Sequence, residues 1–162
     1  MSHKKLIPKA EVNKLVNRFK RSGKKIVFTN GVFDILHRGH VEYLTKAKSF
    51  GDVLIVGLNT DASVRRIKGG HRPIQKQQDR AAILLALRAV DYVVLFGEDT
   101  PDKLISMVKP DVLVKGADWQ LSEIAGADFV KSYGGKVKRV KLSKGHSTSA
   151  IIKKLNLNLA KS

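Results

Sequence analysis

His37 and His40 are the residues of this chain whose type and spacing most clearly indicate chemistry. They lie in the segment His37-Arg38-Gly39-His40, after the apolar run Ile26–Phe28 and the polar loop Thr29–Asp34. Side chains three positions apart share one face of a helix's first turn, where free N–H groups and the positive end of the helix dipole bind phosphate. A strand, a glycine-containing loop and two histidines at a helix start therefore predict a site for the phosphates of a nucleotide.

Zinc binding is the weaker interpretation of the same two histidines. A zinc site needs three or four His, Cys or carboxylate ligands, but the chain has no cysteine and the nearest further candidate is Asp34. We therefore expect no metal ion held by the protein's own side chains. The absence of cysteine also excludes disulfides and thiol nucleophiles.

Length and composition are those of an ordinary globular protein. The 162 residues suffice for one domain with a substantial core, and 43% of them are hydrophobic. No apolar leader follows Met1, and the longest apolar run, Ala81–Leu87, is too short to span a bilayer. A cytoplasmic protein without a membrane partner is the expectation.

The net charge of +17 is concentrated at the two ends of the chain. Residues 1–25 contain nine Lys or Arg and one acid, residues 131–162 contain nine and no acid, and residues 26–130 contain thirteen of each sign. Solvated helix faces and tails account for such ends, whereas attraction of anionic substrates or weak polyanion binding is the alternative. Because the chain has only three Tyr, six Phe and one Trp, it offers few aromatic side chains for stacking single-stranded nucleic acid. We therefore do not expect nucleic acid as the partner.

Hydrophobic periodicity predicts strands and helices in alternation. The predicted strands are 25–29, 52–58, 92–96, 111–115 and 136–142. The predicted helices are 8–21, 38–50, 61–67, 77–90, 101–108 (with Thr100 as N-cap), 127–133 and 147–157. This order predicts an α/β fold, an open parallel five-stranded Rossmann-like sheet with helices on both faces. We expect one domain over 1–162, with a basic N-terminal helix within 1–24, a core over 25–157 and a tail over 158–162.

Ligands of such sheets bind at the carboxyl ends of the strands, near the point where the strand order reverses. The polar segments 29–40, 59–61, 115–119 and 142–149 each follow a predicted strand. The remaining polar motifs are therefore expected at the same edge as the histidines.

Four of these features each allow two interpretations. Ser147-Thr148-Ser149 either caps the last helix or also holds a second phosphate, and Lys68–Pro73 is either a surface loop or a loop that closes on a phosphate. Lys115–Trp119 combines a Lys, a Gly and an Asp at a strand end, which favours contact with a ligand. Arg80 reaches either a nucleotide or a surface ion pair. The chain contains neither a Walker A motif nor G-x-G-x-x-G, which excludes P-loop NTPases and standard dinucleotide enzymes.

The segment Thr29–His40 resembles the signature of the cytidylyltransferase-like nucleotidyltransferases, the HxGH fold. Within that superfamily the chain resembles the adenylyltransferases that activate D-glycero-β-D-manno-heptose 1-phosphate, stand-alone or as half of a bifunctional heptose enzyme. Further matching segments are 58–63 with 68–69, 91–117, and 147–149 with 151–154. The resemblance covers about residues 25–157.

The resemblance implies transfer of AMP from ATP to the sugar 1-phosphate by direct in-line attack, with release of pyrophosphate. It implies Mg²⁺ held mainly through the ATP phosphates, and a homodimer. Together with the residue patterns it gives three groups of candidate site residues. The catalytic candidates are His37, His40 and Lys68. The nucleotide-binding candidates are Thr29, Asn30, Gly31, Phe33, His37, Gly39, His40, Lys46, Arg80, Lys115, Gly116, Asp118, Ser147, Thr148 and Ser149. The substrate-binding candidates are Asp34, Asn59, Lys68, Arg72 and Trp119.

The chain departs from related cytidylyltransferases beside the Ser-Thr pair. Those relatives carry an Arg at the position of Leu142, and an apolar residue at that of His146. Lys141, Lys144 and His146 are the candidates to replace the missing Arg.

Three other function classes remain open from the sequence. One is a different nucleotidyltransferase, using CTP with glycerol 3-phosphate, or ATP with a pantetheine phosphate or a flavin phosphate (FMN). Another is a relative of class I aminoacyl-tRNA synthetases, for which His37–His40 and Lys141–Gly145 offer similar motifs but 162 residues leave no space for tRNA-binding domains. The last is a non-enzymatic basic module that binds nucleic acid through the charged ends.

Overall fold

A computed structural model describes residues 5–142 and 145–159, in which strands and helices alternate along the chain. The strands are β1 (Lys5–Ile7), β2 (Ile26–Gly31), β3 (Val53–Asn59), β4 (Tyr92–Phe96), β5 (Val112–Gly116) and β6 (Lys136–Val140). The helices are α1 (Val12–Arg21), α2 (Arg38–Lys48), α3 (Asp61–Lys68), α4 (Gln77–Ala86), α5 (Asp102–Val108), α6 (Ala127–Ser132) and α7 (Thr148–Leu159). None of the helices in these two ranges is long and apolar enough to cross a membrane.

All six strands pair in parallel, in the order β1-β4-β3-β2-β5-β6. From β2 the chain builds outward through β3 and β4, and it then returns to place β5 on the other side of β2. The order therefore reverses between β2 and β5, the position where α/β sheets bind ligands. These two strands pair with each other only at Val27–Val112 and Phe28–Leu113, so their carboxyl ends are not paired with each other and a crevice opens between them.

Alternate residues of each strand pack into two apolar layers, one on each face of the sheet. Ile26 and Phe28 of β2 lie in the layer that also contains the buried residues of α1, α5 and α6. Val27 lies in the opposite layer, with the buried residues of α2 and α4. Because both faces are covered, β3 is buried along its whole length, as expected for a central parallel strand.

The predicted fold class is confirmed, with six strands rather than five. The additional strand, β1, has three residues of which only Ile7 is buried, so its sequence gives almost no periodic signal. The segment predicted as a basic helix within 1–24 is therefore divided between β1, a short 3-10 turn at Lys9–Glu11 and α1.

The end of α4 and the N-cap of α5 also differ from the predictions. The helix predicted over 77–90 ends at Ala86, because Leu87 has an extended backbone that leads toward β4. Thr100 was expected to cap α5, but the cap residue is Pro101, whose carbonyl accepts the first helical hydrogen bond from Ile105 N–H at 2.8 Å.

Asp91 joins three elements of the sheet and one helix. Its carboxylate accepts hydrogen bonds from Leu54 N–H in β3 at 2.7 Å and from Lys48 Nζ in α2 at 2.5 Å, and its carbonyl accepts one from Lys5 N–H in β1.

We predict that Asp91→Asn lowers the free energy of unfolding by about 1–3 kcal/mol, because a largely buried charge-assisted network loses its charge. Urea unfolding measures the change. Asp128→Asn is the control, since the Asp128 side chain is fully exposed and no measurable change is expected. Equal stability of wild type and Asp91→Asn would contradict this role.

Candidate active site

A cavity of about 560 Å³ opens at the carboxyl ends of the strands, at the crevice between β2 and β5. A smaller cavity of about 150 Å³ adjoins it and shares Asn30, Phe33, His40 and Lys115 with it. The residues predicted from sequence that line the larger cavity are Asn30, Gly31, Phe33, Asp34, His40, Asn59, Lys68, Arg72, Lys115, Trp119, Thr148 and Ser149. Gly116 and Asp118 line the smaller one. Most of the candidate residues therefore lie around one space.

His37 and His40 lie at the start of α2. His37 is its N-cap residue, with an extended backbone (φ −139°, ψ 171°), and His40 lies in the first turn. Their rings stack with centroids 3.8 Å apart and planes 25° apart, and the Phe33 ring meets His40 edge-on at 5.3 Å. The buried Nδ1 atoms of both histidines have no hydrogen-bond partner in the described part of the chain.

Burial determines the charge state of this pair. It lowers the pKa of His40 to about 4, with a smaller contribution from the adjacent His37. Burial also lowers the pKa of His37, and the nearby imidazole of His146 contributes in the same direction. Both rings are therefore neutral at neutral pH, and each presents one N–H donor and one acceptor nitrogen.

The loop before the histidines is shaped by Phe33 and Gly31. Phe33 is buried and has φ +46°, a conformation that costs a bulky residue energy and is typical of functional sites. A Cβ on Gly31 would lie 2.9 Å from the Phe33 ring, so only glycine leaves space for the ring there. The Phe33 ring is thereby held against His40.

Lys115, at the end of β5, spans the crevice toward β2. Its Nζ lies 3.4 Å from Asn30 Oδ1, 3.5 Å from the Asn30 carbonyl and 5.1 Å from the centre of the Trp119 ring. Burial lowers the pKa of Lys115, Asp118 opposes this shift and Lys68 adds to it. A Cβ on Gly116 would collide with the Asp118 carboxylate, so this glycine allows the close approach of Asp118.

Asp34 was predicted to contact substrate, but its carboxylate is already fully engaged within the protein. Its side chain is 0% exposed and accepts hydrogen bonds from Arg72 Nε at 2.7 Å, Ile74 N–H at 2.9 Å and Gln75 N–H at 2.9 Å. Burial alone would raise the pKa of Asp34, but these donors outweigh it and the pKa lies below its ordinary value. Asp34 therefore anchors the loop at residues 69–76 to the loop between β2 and α2, residues 32–37, which is called the histidine loop below. The terminal nitrogens of Arg72 have no partner within residues 5–142 and 145–159, which leaves them available at the cavity.

Arg80 was predicted to reach either the nucleotide or a surface pair, and the structure supports neither. The side chain is 0% exposed, and each guanidinium nitrogen has a protein acceptor. Nε donates to the Gln75 carbonyl at 3.0 Å, Nη1 to the Val32 carbonyl at 2.6 Å and Nη2 to Asp61 Oδ1 at 2.7 Å. Through these hydrogen bonds, Arg80 links the loop at residues 69–76, the histidine loop and α3 inside the protein.

The N-terminus of α7 contacts the histidine loop. Thr148 Oγ1 donates to the Ile35 carbonyl at 3.2 Å, and Ser147 Oγ caps the helix by accepting from Ala150 N–H at 3.0 Å. Thr148 and Ser149 face the larger cavity. Leu142, which stands at the position of the relatives' Arg, lines the smaller cavity. Lys144 lies outside the described residues.

The other candidates divide between the cavity wall and its surroundings. Lys68 ends α3 at the rim, and Asn59 is buried with its Nδ2 donating to Ser63 Oγ at 3.0 Å. Thr29 is buried behind the cavity, where its hydroxyl lies 2.8 Å from the Tyr43 hydroxyl. Lys46 is exposed on α2 with its amine over the Phe50 ring, away from both cavities.

Sequence reasoning missed several residues of the lining. Tyr43 lines the smaller cavity, and burial raises its pKa. The larger cavity is also lined by Ile67, Asp99, Thr100, Pro101, Glu123, Ile124 and Ala125. Tyr43 follows His40 by three positions, so its helical spacing was the available signal. The others come from loops whose approach depends on long-range packing.

The carboxylates at the larger cavity are all engaged by protein donors. Asp34 is held as above, Asp99 pairs with Arg66 Nε at 2.9 Å, and Glu123 accepts from Gln120 N–H. Within the described ranges, no three His, Cys, Asp or Glu side chains are grouped as a metal site.

A family model described as cytidylyltransferase-like matches residues 28–154, which contain both histidines and both cavities. The chain belongs to this family. The bifunctional protein HldE of Wolinella succinogenes is 53% identical over 154 residues, and that of Geobacter metallireducens is 57% identical over 141 residues. These matches cover 95% and 87% of this chain but 32% and 29% of the relatives, so the chain spans about a third of their length.

Two solved structures are similar to this chain. The lipopolysaccharide core biosynthesis protein of Thermoplasma volcanium is 36% identical, with a TM-score of 0.62 over 76% of this chain and 100% of that chain. Pantoate–β-alanine ligase of Francisella tularensis, in complex with β-γ ATP and β-alanine, has a TM-score of 0.61 over 90% of this chain and 69% of that chain. At 19% identity, this second likeness shows the shared fold alone.

The charge state of His40 provides a direct test of the site's electrostatics. Because burial disfavours the imidazolium, we predict that the His40 ring titrates near pH 4, against an ordinary value near 6.5, and stays neutral down to about pH 5. NMR of labelled histidine side chains measures this midpoint, and the exposed His71 serves as the internal control. A His40 midpoint near 6.5 would contradict the described burial.

Proposed function

We propose that this chain transfers AMP from ATP to a sugar 1-phosphate, D-glycero-β-D-manno-heptose 1-phosphate, and releases ADP-heptose and pyrophosphate. The observation that carries the proposal is the neutral, stacked pair His37 and His40 at a helix N-terminus, beside a cavity lined by cations. The similarity to HldE and to a lipopolysaccharide core biosynthesis protein supports the choice of a sugar substrate. The sequence resemblance supports heptose in particular.

In the proposed reaction, an oxygen of the sugar phosphate attacks the α-phosphorus of ATP. A new Pα–O bond forms, the bond between the α-phosphorus and the bridging oxygen breaks, and pyrophosphate leaves with that electron pair. The attacking oxygen is already anionic, so no general base has to remove a proton. The work of the protein is then positioning and stabilisation of developing charge.

The residues around the cavity suit these two tasks. Neutral His37 and His40 donate hydrogen bonds to phosphate oxygens on which charge accumulates. Lys68 and the terminal nitrogens of Arg72 lie where they can neutralise the acceptor phosphate. Lys115, with its amine close to Asn30 and Trp119, faces both cavities and suits the nucleotide. Thr148 and Ser149 offer hydroxyls from the opposite side.

Magnesium enters this proposal as part of the substrate, MgATP. The engaged carboxylates around the cavity fit an ion held by phosphate oxygens rather than by a protein cage. Bound in this way, the ion would offset phosphate charge. A homodimer, which the family resemblance implies, and a cytoplasmic location complete the proposal.

Pyrophosphate release with a panel of substrates tests the proposal. ATP, CTP and GTP are each combined with heptose 1-phosphate, other sugar 1-phosphates, glycerol 3-phosphate and pantetheine phosphate in the presence of Mg²⁺. We expect turnover with ATP and heptose 1-phosphate. Preference for CTP with glycerol 3-phosphate would contradict the assignment, and so would salt-sensitive RNA binding without any release of pyrophosphate.

The histidine pair provides the mutational test. We predict that His37→Ala and His40→Ala each lower kcat by about 10²- to 10⁴-fold, because each removes a donor aimed at the transition state. Circular dichroism should show an intact fold in both variants. Asp128→Ala, at a fully exposed residue that lines neither cavity, is the control and should keep wild-type turnover. Near-wild-type activity in both pair variants would disprove their catalytic role.

A further inference from the structure

A third imidazole, that of His146, lies beside the histidine pair. The centroids of the His146 and His37 rings are 6.3 Å apart and their planes differ by 21°. His37 therefore has two imidazole neighbours in near-parallel orientation, His40 from its own helix and His146 from the segment before α7. The three rings are therefore arranged as a stack. Among the described residues, these histidines do not form a metal-binding group.

The segment that carries His146 is fixed relative to the histidine loop. Thr148, two residues later, donates its hydroxyl hydrogen bond to the Ile35 carbonyl, two residues before His37. Ser147 caps α7 through its hydroxyl. Because the two residues that follow His146 are held by these hydrogen bonds, the start of α7 brings His146 toward His37.

Gly39 makes this approach possible. A Cβ at position 39 would lie 3.1 Å from the Cε1 and Nδ1 atoms of His37 and 3.2 Å from the Cβ of His146. Both distances are tighter than ordinary van der Waals contact, so a side chain here would push the two histidines outward. The glycine between the two motif histidines therefore serves the contact with a third.

We infer that His146 is a positioning residue for His37: it holds the His37 ring from the side of α7, in the orientation in which that ring meets the α-phosphate. This inference rests on the proposed function and adds to it a residue outside the His-x-Gly-His motif. His146 itself is exposed and does not line the larger cavity, so its action passes through His37. Burial is the main cause of the lowered pKa of His37, and the His146 imidazole adds to this lowering.

Two substitutions of His146 distinguish the contribution of its aromatic ring from that of its imidazole nitrogens. His146→Phe keeps an aromatic ring that can stack on His37, and His146→Ala removes the ring. We expect His146→Ala to lower kcat by about 10- to 100-fold with little change in the KM for ATP, since misplacing a catalytic group by about 1 Å can cost up to about 100-fold in rate. We expect His146→Phe to stay within about threefold of wild type, because the ring is the part that positions His37. His71→Phe is the matched control, an exposed histidine given the same substitution.

The kinetic outcomes discriminate between roles. Loss in His146→Ala with retention in His146→Phe supports positioning. An equal loss in both variants would overturn it, because the imidazole nitrogens would then be the essential part. Wild-type kcat in both would overturn it as well.

A second measurement does not depend on turnover. NMR titration of the ligand-free protein should show the His37 midpoint moving upward in both His146 variants and unchanged in His71→Phe. A His37 midpoint that stays the same in both His146 variants would show that His146 does not act on His37. If the wild type releases no pyrophosphate with any donor, the proposed function fails, while the titration still decides whether His146 acts on His37.

Discussion

Two buried charged side chains, Asp34 and Arg80, fix the loops around the cavity. An ion without solvent must find partners inside the protein, since an unpartnered buried charge is strongly destabilising. Here most of the partners are backbone groups: Asp34 accepts from two amides of the loop at 69–76, and Arg80 donates to one carbonyl of that loop and one of the histidine loop. Neither loop can move without breaking these bonds. The positions of Phe33 and Arg72 at the wall of the cavity follow from this constraint.

The sheet supplies the second half of the site. Because β2 and β5 pair only over their first residues, their carboxyl ends separate, and Lys115 and Asn30 approach each other across the opening. The start of α2 places His37 and His40 beside it. Neutral donors, cations at the cavity and a helix N-terminus are the features that the proposed transfer of AMP needs, because charge accumulates on phosphate oxygens as that reaction proceeds.

The sequence predicted those features that depend on local pattern. The alternation of apolar runs gave the α/β class, and β4 lies within the predicted bounds. The His-x-Gly-His segment and the strand-end positions identified the edge where the cavity lies. The roles of Asp34 and Arg80 were not predictable, because a polar residue at a loop end has the same local sequence whether it faces a ligand or a buried amide. The contact between His37 and His146 joins positions over a hundred residues apart and has no local signal at all.

A crystal structure of the protein with α,β-methylene ATP and Mg²⁺ tests the role of the histidine pair most directly. The α-phosphate should lie beside the pair, with its oxygens about 2.7–3.2 Å from imidazole nitrogens of His37 and His40. The nucleoside should then extend toward Lys115 and the smaller cavity. A nucleotide bound with its phosphates on the basic chain ends, and none at the histidines, would disprove this role.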